Sequence, residues 1–311
     1  FAGYYAAKEK GLYDEVGLNV EIRQRDLKYN NIDEVINGNA QYGVADSILI
    51  LYRLKQQPVV IVSPIFQHSP SVFISLKKSN ISSVYELNNK DILFYPNDTD
   101  GFSLLAMIKK FDLDVNLVRE RYKDDYMRLI NNEVDVMPAY IANEPFLFKE
   151  KGYDVNIINP TNYGFDMYGD MLFTNEDEAK NNPIRVEKFK EATLKGWKYA
   201  LENKEEIIQL INEKYSKEKS IEHLRYEANA IDSLINKDVT PLGYLDQGRI
   251  RYISEMYEYY GLTESKKDLN DFLFDEISKK DKKLSLSDEE IKYLKDNPIL
   301  KVHNFDSLPP Y

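Results

Sequence analysis

Short β-rich runs alternate with helical stretches through the first half of the chain, and this alternation constrains the fold more than any other feature. The runs are LNVEIR (18–23), YGVA (42–45), PVVIVS (58–63), SVFISL (71–76), DILFY (91–95), VDVMPA (134–139) and DVNIIN (154–159). Between them lie segments with apolar residues at helical spacing, such as NIDEVING and GFSLLAMIKKF. Strands interleaved with helices predict the α/β class. From 183 the pattern becomes helical: Asn182 stands as an N-cap, Pro183 at the first helical position, and Val186, Phe189, Trp197, Ala200 and Leu201 on one face. Ile221, Leu224, Ala228, Ile231 and Ile235 predict a second helix, and 247–260 a third. A chain of 311 residues suits two lobes better than one simple core.

Charge and composition narrow the function. Forty-one Lys and Arg against 52 Asp and Glu give a formal charge of -11, which repels nucleic acid and anionic lipid alike. Zero cysteines exclude disulfides, thiolate metal sites and cysteine nucleophiles, and suit a bacterial exported protein. The three histidines, His68, His223 and His303, are too scattered to suggest a metal site. No window approaches the roughly 18 apolar residues of a membrane span. FAGYYAAKEKG lacks the basic and apolar regions of a signal peptide, so Phe1 is expected to be an interior point of a longer chain, and KVHNFDSLPPY the opening of a further unit.

Ligands of open α/β sheets bind beyond the carboxyl ends of strands, and two such lobes make a cleft. The loops to watch are therefore ADS (45–47), IFQHSP (65–70), YPNDTDG (95–101), YIANEPF (140–146) and TNYGFDMYGD (161–170). YGFDMYGDMLFT (163–174) reads as a strand leading into a turn, with Tyr163, Asp166, Tyr168 and Asp170 close together. A buried carboxylate costs several kcal/mol unless paired or hydrogen-bonded, so acids among aromatic rings suggest a lined cavity as well as a core.

FAGYYAAKEKGLYDEVGLNVEI, GNAQYGVADS, PVVIVSPIFQHSP, ANEPF and the long run from YGFDMYGDM to GWKYAL resemble the thiamin-pyrimidine branch of the periplasmic binding proteins. The resemblance covers about 1–275. It implies a type II periplasmic binding protein fold, two α/β lobes with a ligand cleft between them: lobe one about 1–90 and 176–275, lobe two about 91–175, with linkers near Ser75 to Asn88 and Phe173 to Glu178. The branch includes a fungal pyrimidine-making enzyme with a lysine for pyridoxal phosphate, a histidine consumed as substrate and a cysteine-rich iron segment. The matching positions here are Ala45, Leu49 and Gly164 to Tyr168, which offer no amine, imidazole or thiolate. No catalytic residue, metal or cofactor is therefore expected.

The resemblance implies an aminopyrimidine or similar heterocycle as ligand, which needs aromatic walls and a carboxylate. Glu144 of ANEPF is the expected amine acceptor, because the family tends to place an acid there; Asp166 and Asp170 supply a second carboxylate contact and a turn-former. Tyr4, Tyr5, Tyr163 and Tyr168 are stacking candidates with Phe66 behind them, and Ser47, Gln67 and Asn97 complete the hydrogen bonding. A ligand closes two lobes only through contacts from both. Tyr4, Ser47 and Gln67 would come from lobe one, and Asn97, Glu144 and Asp166 from lobe two.

LSLSDEEIKYLKDNPILKVHNFDSLPPY resembles the entry to a family 3 solute-binding domain, with Ser287 and Glu290 as a capping box. Residues 276–311 are then a linker helix and the truncated start of a second domain. Such tandems resemble the periplasmic halves of inner-membrane sensors that carry a histidine kinase or diguanylate cyclase beyond the membrane, anchored outside this segment, with a homodimer among the forms such a full-length sensor takes. The alternatives are the substrate-binding subunit of an ABC importer and, against Ala45 and Leu49, a pyrimidine synthase.

Overall fold

The computed structural model describes residues 1–23, 30–96, 101–119, 125–263, 269–281 and 292. Among the described residues the strands are β1 (Tyr42–Ala45), β2 (Val59–Pro64), β3 (Ser71–Leu76), β4 (Asp91–Leu93), β5 (Asn116–Val118), β6 (Met137–Tyr140), β7 (Val155–Ile158) and β8 (Met171–Asn175). They fall into two bodies. In the first, β8 runs antiparallel between β1 and β2, with Tyr42 opposite Thr174 and Val59 opposite Asn175. In the second, β3 lies antiparallel between β6 and β7, and an Ile92–Val136 bridge joins the parallel pair β4–β5 to it.

The composition of β2, VVIVSP, explains its place: every residue is buried, as expected for a strand covered on both faces. Helices Ala2–Glu9 and Pro183–Glu202 pack on each other beside the first sheet, with Trp197 of the long helix 1% exposed. The long helix has Pro183 at its first turn, as the sequence predicts, but Asn182 before it makes no side-chain capping bond and donates its Nδ2 to Glu178 Oε2 (3.0 Å) instead. Helix Phe102–Lys110 is buried along nearly its whole length, which its apolar sequence FSLLAMI requires.

Three further expectations are corrected. LNVEIR forms no strand among the described residues: Leu18, Val20 and Ile22 do pack inward at period two, but no described strand pairs with them, and Leu18 N donates back to Tyr13 O (2.9 Å) at the preceding turn. The stretch YGFDMYGDMLFT has the reverse order, a turn leading into a strand. Its first residue closes the 3₁₀ turn Pro160–Tyr163, Gly164 takes φ +90°, and MLFTN becomes the central strand β8. Strand β3, included in lobe one by the 1–90 boundary, hydrogen-bonds instead to β6 and β7. The chain therefore crosses between bodies at 65–70 and again at 165–170, where Ile65 N and Phe66 N both donate to Asp170 O (2.8 and 3.1 Å) and Gly169 N to Phe66 O (3.2 Å). A Cβ at Gly169 would stand 2.8 Å from the His68 carbonyl oxygen, so only glycine permits this close approach. The residues that carry the second resemblance, apart from 292, lie outside the described residues.

Candidate functional site

The crevice between the bodies is built from strand ends and helix starts. Ser47 stands at the N-terminus of helix Ile48–Leu54, directly after β1, and its Oγ donates to Tyr168 O at 2.8 Å. Asp46, Ser47, Ser69, Ser71, Ser103 and Tyr257 are among the residues enclosing a cavity of about 20 Å³ there, with Met167 and Tyr168 from the crossing segment. Roughly 10–15 Å³ admits one water, and a benzene-sized ring needs about ten times that. A heterocycle enters this space only if the bodies move apart.

The aromatic end of the crevice holds the more telling chemistry. Asp170, on the returning crossing segment, is partly exposed, and among the described residues no lysine or arginine side chain pairs with it. Burial raises its carboxyl above the ordinary aspartate range. Tyr4 is 6% exposed and Trp197 1%, and their rings meet edge to face at 5.8 Å. Burial drives the Tyr4 hydroxyl well above the usual phenol range, with the Asp170 charge next. The indole N–H of Trp197 lies near that hydroxyl, yet Tyr4 Oη and Trp197 Nε1 are both buried without a hydrogen-bond partner in the protein. Two orphaned donors in a core call for an explanation, because each costs about 1–3 kcal/mol unless something accepts from it.

Tyr140, at the end of β6 in the other body, is 40% exposed. Its pKa is raised by burial of the hydroxyl, with the charges of Asp170, Asp46 and Glu144 adding to the effect. Glu144 starts helix Glu144–Glu150 and accepts from Tyr140 N (2.7 Å) and Asn143 Nδ2 (3.1 Å). The charges of Asp46, Asp170 and Glu144 all act on this phenol, a setting favourable to a donor or cation and hostile to an anion.

The sequence-selected residues divide unevenly. Ser47 lines the small cavity, Asp170 and Glu144 act electrostatically on Tyr140, Tyr4 is buried against Trp197, and Phe66 also meets Trp197 edge to face, at 6.0 Å. Tyr168 is among the residues lining the small cavity; the Arg249 guanidinium covers one face of its ring at 4.2 Å and its hydroxyl accepts from Asp246 N. Tyr163 is not a wall; it receives Val84 N at 3.2 Å and packs on Phe111, since the 3₁₀ turn carries it to the far side of the second body. Tyr5 stacks on Tyr215 at 3.8 Å on the outer face of helix Ala2–Glu9. Gln67 is 5% exposed and donates to Tyr244 O. Asp166 is held by His68 (2.8 Å) and Arg249 (2.9 Å), a clasp on the crossing segment. Asn97 lies outside the described residues.

Trp197, Tyr140 and Asp46 are not among the residues the sequence singles out. Asp46 and Tyr140 fall inside the strand-end loops ADS and YIANEPF, beside Ser47 and Glu144; Trp197 reads in sequence only as one apolar position of a helix face. Among the described residues no helix is long and apolar enough to cross a membrane, and no cluster of His, Asp and Glu suits a metal ion.

Residues 1–207 match the family described as NMT1/THI5 like. The riboflavin-binding protein RibY of Chloroflexus aurantiacus is 27% identical over 222 residues, 68% of this chain and 61% of the relative. The formylaminopyrimidine-binding protein of Halalkalibacterium halodurans is 24% identical over 212 residues, 67% of this chain and 64% of the relative. The chain thus spans under two thirds of the length of either. The crystal structure of the periplasmic aliphatic sulphonate binding protein SsuA from Escherichia coli superposes with a TM-score of 0.64 at 14% identity, covering 87% of this chain and 91% of that one. The likeness extends over both bodies, and the fold is the type II periplasmic binding arrangement.

Proposed function

This chain belongs to the NMT1/THI5-like family, and from that premise we propose that it is a non-catalytic, extracytoplasmic binding module for an aminopyrimidine or a related nitrogen heterocycle, gripped in the crevice between Asp170 and Tyr140. The observation that carries this reading is the Asp170 carboxyl, which no lysine or arginine side chain pairs with among the described residues, set beside the orphaned Tyr4 and Trp197 donors. A ring nitrogen or carbonyl oxygen would accept from those donors, and an exocyclic amine would donate to Asp170 or Glu144. Stacking contributes about 1–3 kcal/mol per ring and a hydrogen bond to a charged group about 1.5–3, which together reach micromolar affinity after the cost of association. The same acids disfavour sulfonates, despite the likeness in fold to a sulphonate-binding protein. RibY and the formylaminopyrimidine-binding protein, both named for nitrogen heterocycles, support this class.

In this reading the module senses: ligand closes the lobes, and the movement passes to the inner-membrane kinase or cyclase that the 282–311 resemblance implies. The second reading, the receptor of an ABC importer, draws on the binding-protein relatives. Calorimetric titration with hydroxymethylaminopyrimidine, formylaminopyrimidine, riboflavin and taurine tests the ligand class. Saturable binding of a pyrimidine is expected, and binding of taurine alone would overturn it. Signalling in a membrane-bound full-length protein, against ligand uptake by transport-deficient cells, separates sensor from importer.

A further inference from the structure

A second set of contacts joins the bodies at a distance from the ligand crevice. Helix Ile221–Ile235 is anchored in the first body, where Leu234 and Ile235 pack with Val60, Val62 and Leu172. Helix Glu144–Glu150 is anchored in the second, where Phe148 packs with Val72, Ile74 and Ala139. The two helices meet through His223, which is only 4% exposed. Its Nε2 lies 3.0 Å from Asn143 Oδ1 and its Nδ1 3.5 Å from Glu150 Oε2, while its ring rests on Phe146 at 5.0 Å.

The neighbouring groups complete the joint. Ser220 Oγ accepts from His223 N at 3.0 Å, capping the helix, and donates to Glu150 Oε1 at 2.7 Å. One hydroxyl therefore both starts the helix and ties it to the other body. Tyr226 Oη donates to Ile141 O at 2.8 Å, and its ring lies 5.3 Å from Phe146. The bonds also have a direction. With Asn143 Oδ1 accepting from the imidazole, its Nδ2 is left to donate to Glu144 Oε1 at 3.1 Å. His223, Asn143 and Glu144 are thus linked in series, from the joint to the acid in the crevice.

We propose that His223 is a positioning residue: with Asn143 and Glu150 it forms a latch that holds the two bodies together and, through Asn143, fixes the orientation of the Glu144 carboxylate in the crevice. A buried imidazole with one nitrogen facing each of two groups on the opposite body has that reach; an apolar residue of the same size would leave Asn143 Oδ1 without its donor. The link to ligand rests on the reading of Glu144 given above, but the latch itself does not.

The test exploits a chain without cysteine. Spin labels at Lys188→Cys, on the helix of the first body, and Asp154→Cys, at the edge of the second, report the distance between bodies by double electron–electron resonance with no ligand added. His223→Ala is expected to shift the distribution to longer distances and broaden it. His223→Gln, whose amide nitrogen replaces Nε2 as a donor to Asn143, is expected to restore the parent distribution. If His223→Ala fails to fold by circular dichroism, Asn143→Ala is measured in its place, with the same shift expected. A foldable variant whose distances match the parent's, or a shift that His223→Gln does not reverse, would overturn the latch. Failure of every pyrimidine to bind would leave these distances unchanged and bear only on the proposed ligand.

Discussion

Replacing Tyr4 by phenylalanine separates a ligand contact from a structural hydroxyl by the sign of its effect. In most cores the Tyr→Phe change removes a satisfied hydrogen bond and costs about 0.5–1.5 kcal/mol. Here the hydroxyl is buried without a partner in the protein, with the side chain 6% exposed. Its desolvation, about 1–3 kcal/mol for an unpaired group, is then carried by the folded protein alone. Tyr4→Phe should stabilise the unliganded protein by roughly 1 kcal/mol, a rise of about 2 °C in Tm for a chain of this size. The ring and its edge-to-face contact with Trp197 remain in place. The same variant should bind the heterocycle up to about tenfold more weakly, since one hydrogen bond of about 1 kcal/mol is lost. Differential scanning calorimetry without ligand and titration with it read the two effects separately. A variant that is less stable than the parent, with affinity intact, would refute the reasoning, because the hydroxyl would then serve the fold.

Other perturbations have equally definite signs. The Asp170 carboxyl is raised by burial, so between the unfolded aspartate value and its folded value the native state holds the extra proton and stability falls as pH rises. Asp170→Asn should remove that slope from urea unfolding curves measured between pH 4 and neutrality, and it should abolish the rise in affinity for an amine-bearing ligand over the same range. Gly169→Ala places a methyl 2.8 Å from both the His68 carbonyl oxygen and Phe66 Cβ, and should cost about 1–3 kcal/mol in denaturant midpoint by forcing the crossing segments apart. Arg249→Ala loses the ion pair with Asp166 and the cation–π contact with Tyr168, and should cost roughly 1–2 kcal/mol in thermal unfolding.

The architecture was legible because burial writes itself into local pattern. The β-branched run PVVIVS reads as a strand, and Pro183 ahead of an apolar face as a helix start, and both elements form. The order of the sheets was not legible, since β3 looks the same whether it pairs within the first body or with β6 and β7. The boundary was therefore placed after it. LNVEIR shows the converse: its alternation is used for packing, but a ladder needs a partner that no local signal reveals. In the site, sequence found the loops and often missed the residue. Tyr163 and Tyr168 promised walls, but a turn and an arginine claim them. Trp197, more than 190 positions from Tyr4, joins it only through the packing of two helices.

Trp197 is the only tryptophan in the chain and stands in the proposed site, so its emission is the most direct probe of the central claim. Titration of the full chain with hydroxymethylaminopyrimidine should change that emission saturably, and taurine should leave it unaltered. A saturable response to taurine with none to the pyrimidine would contradict the account.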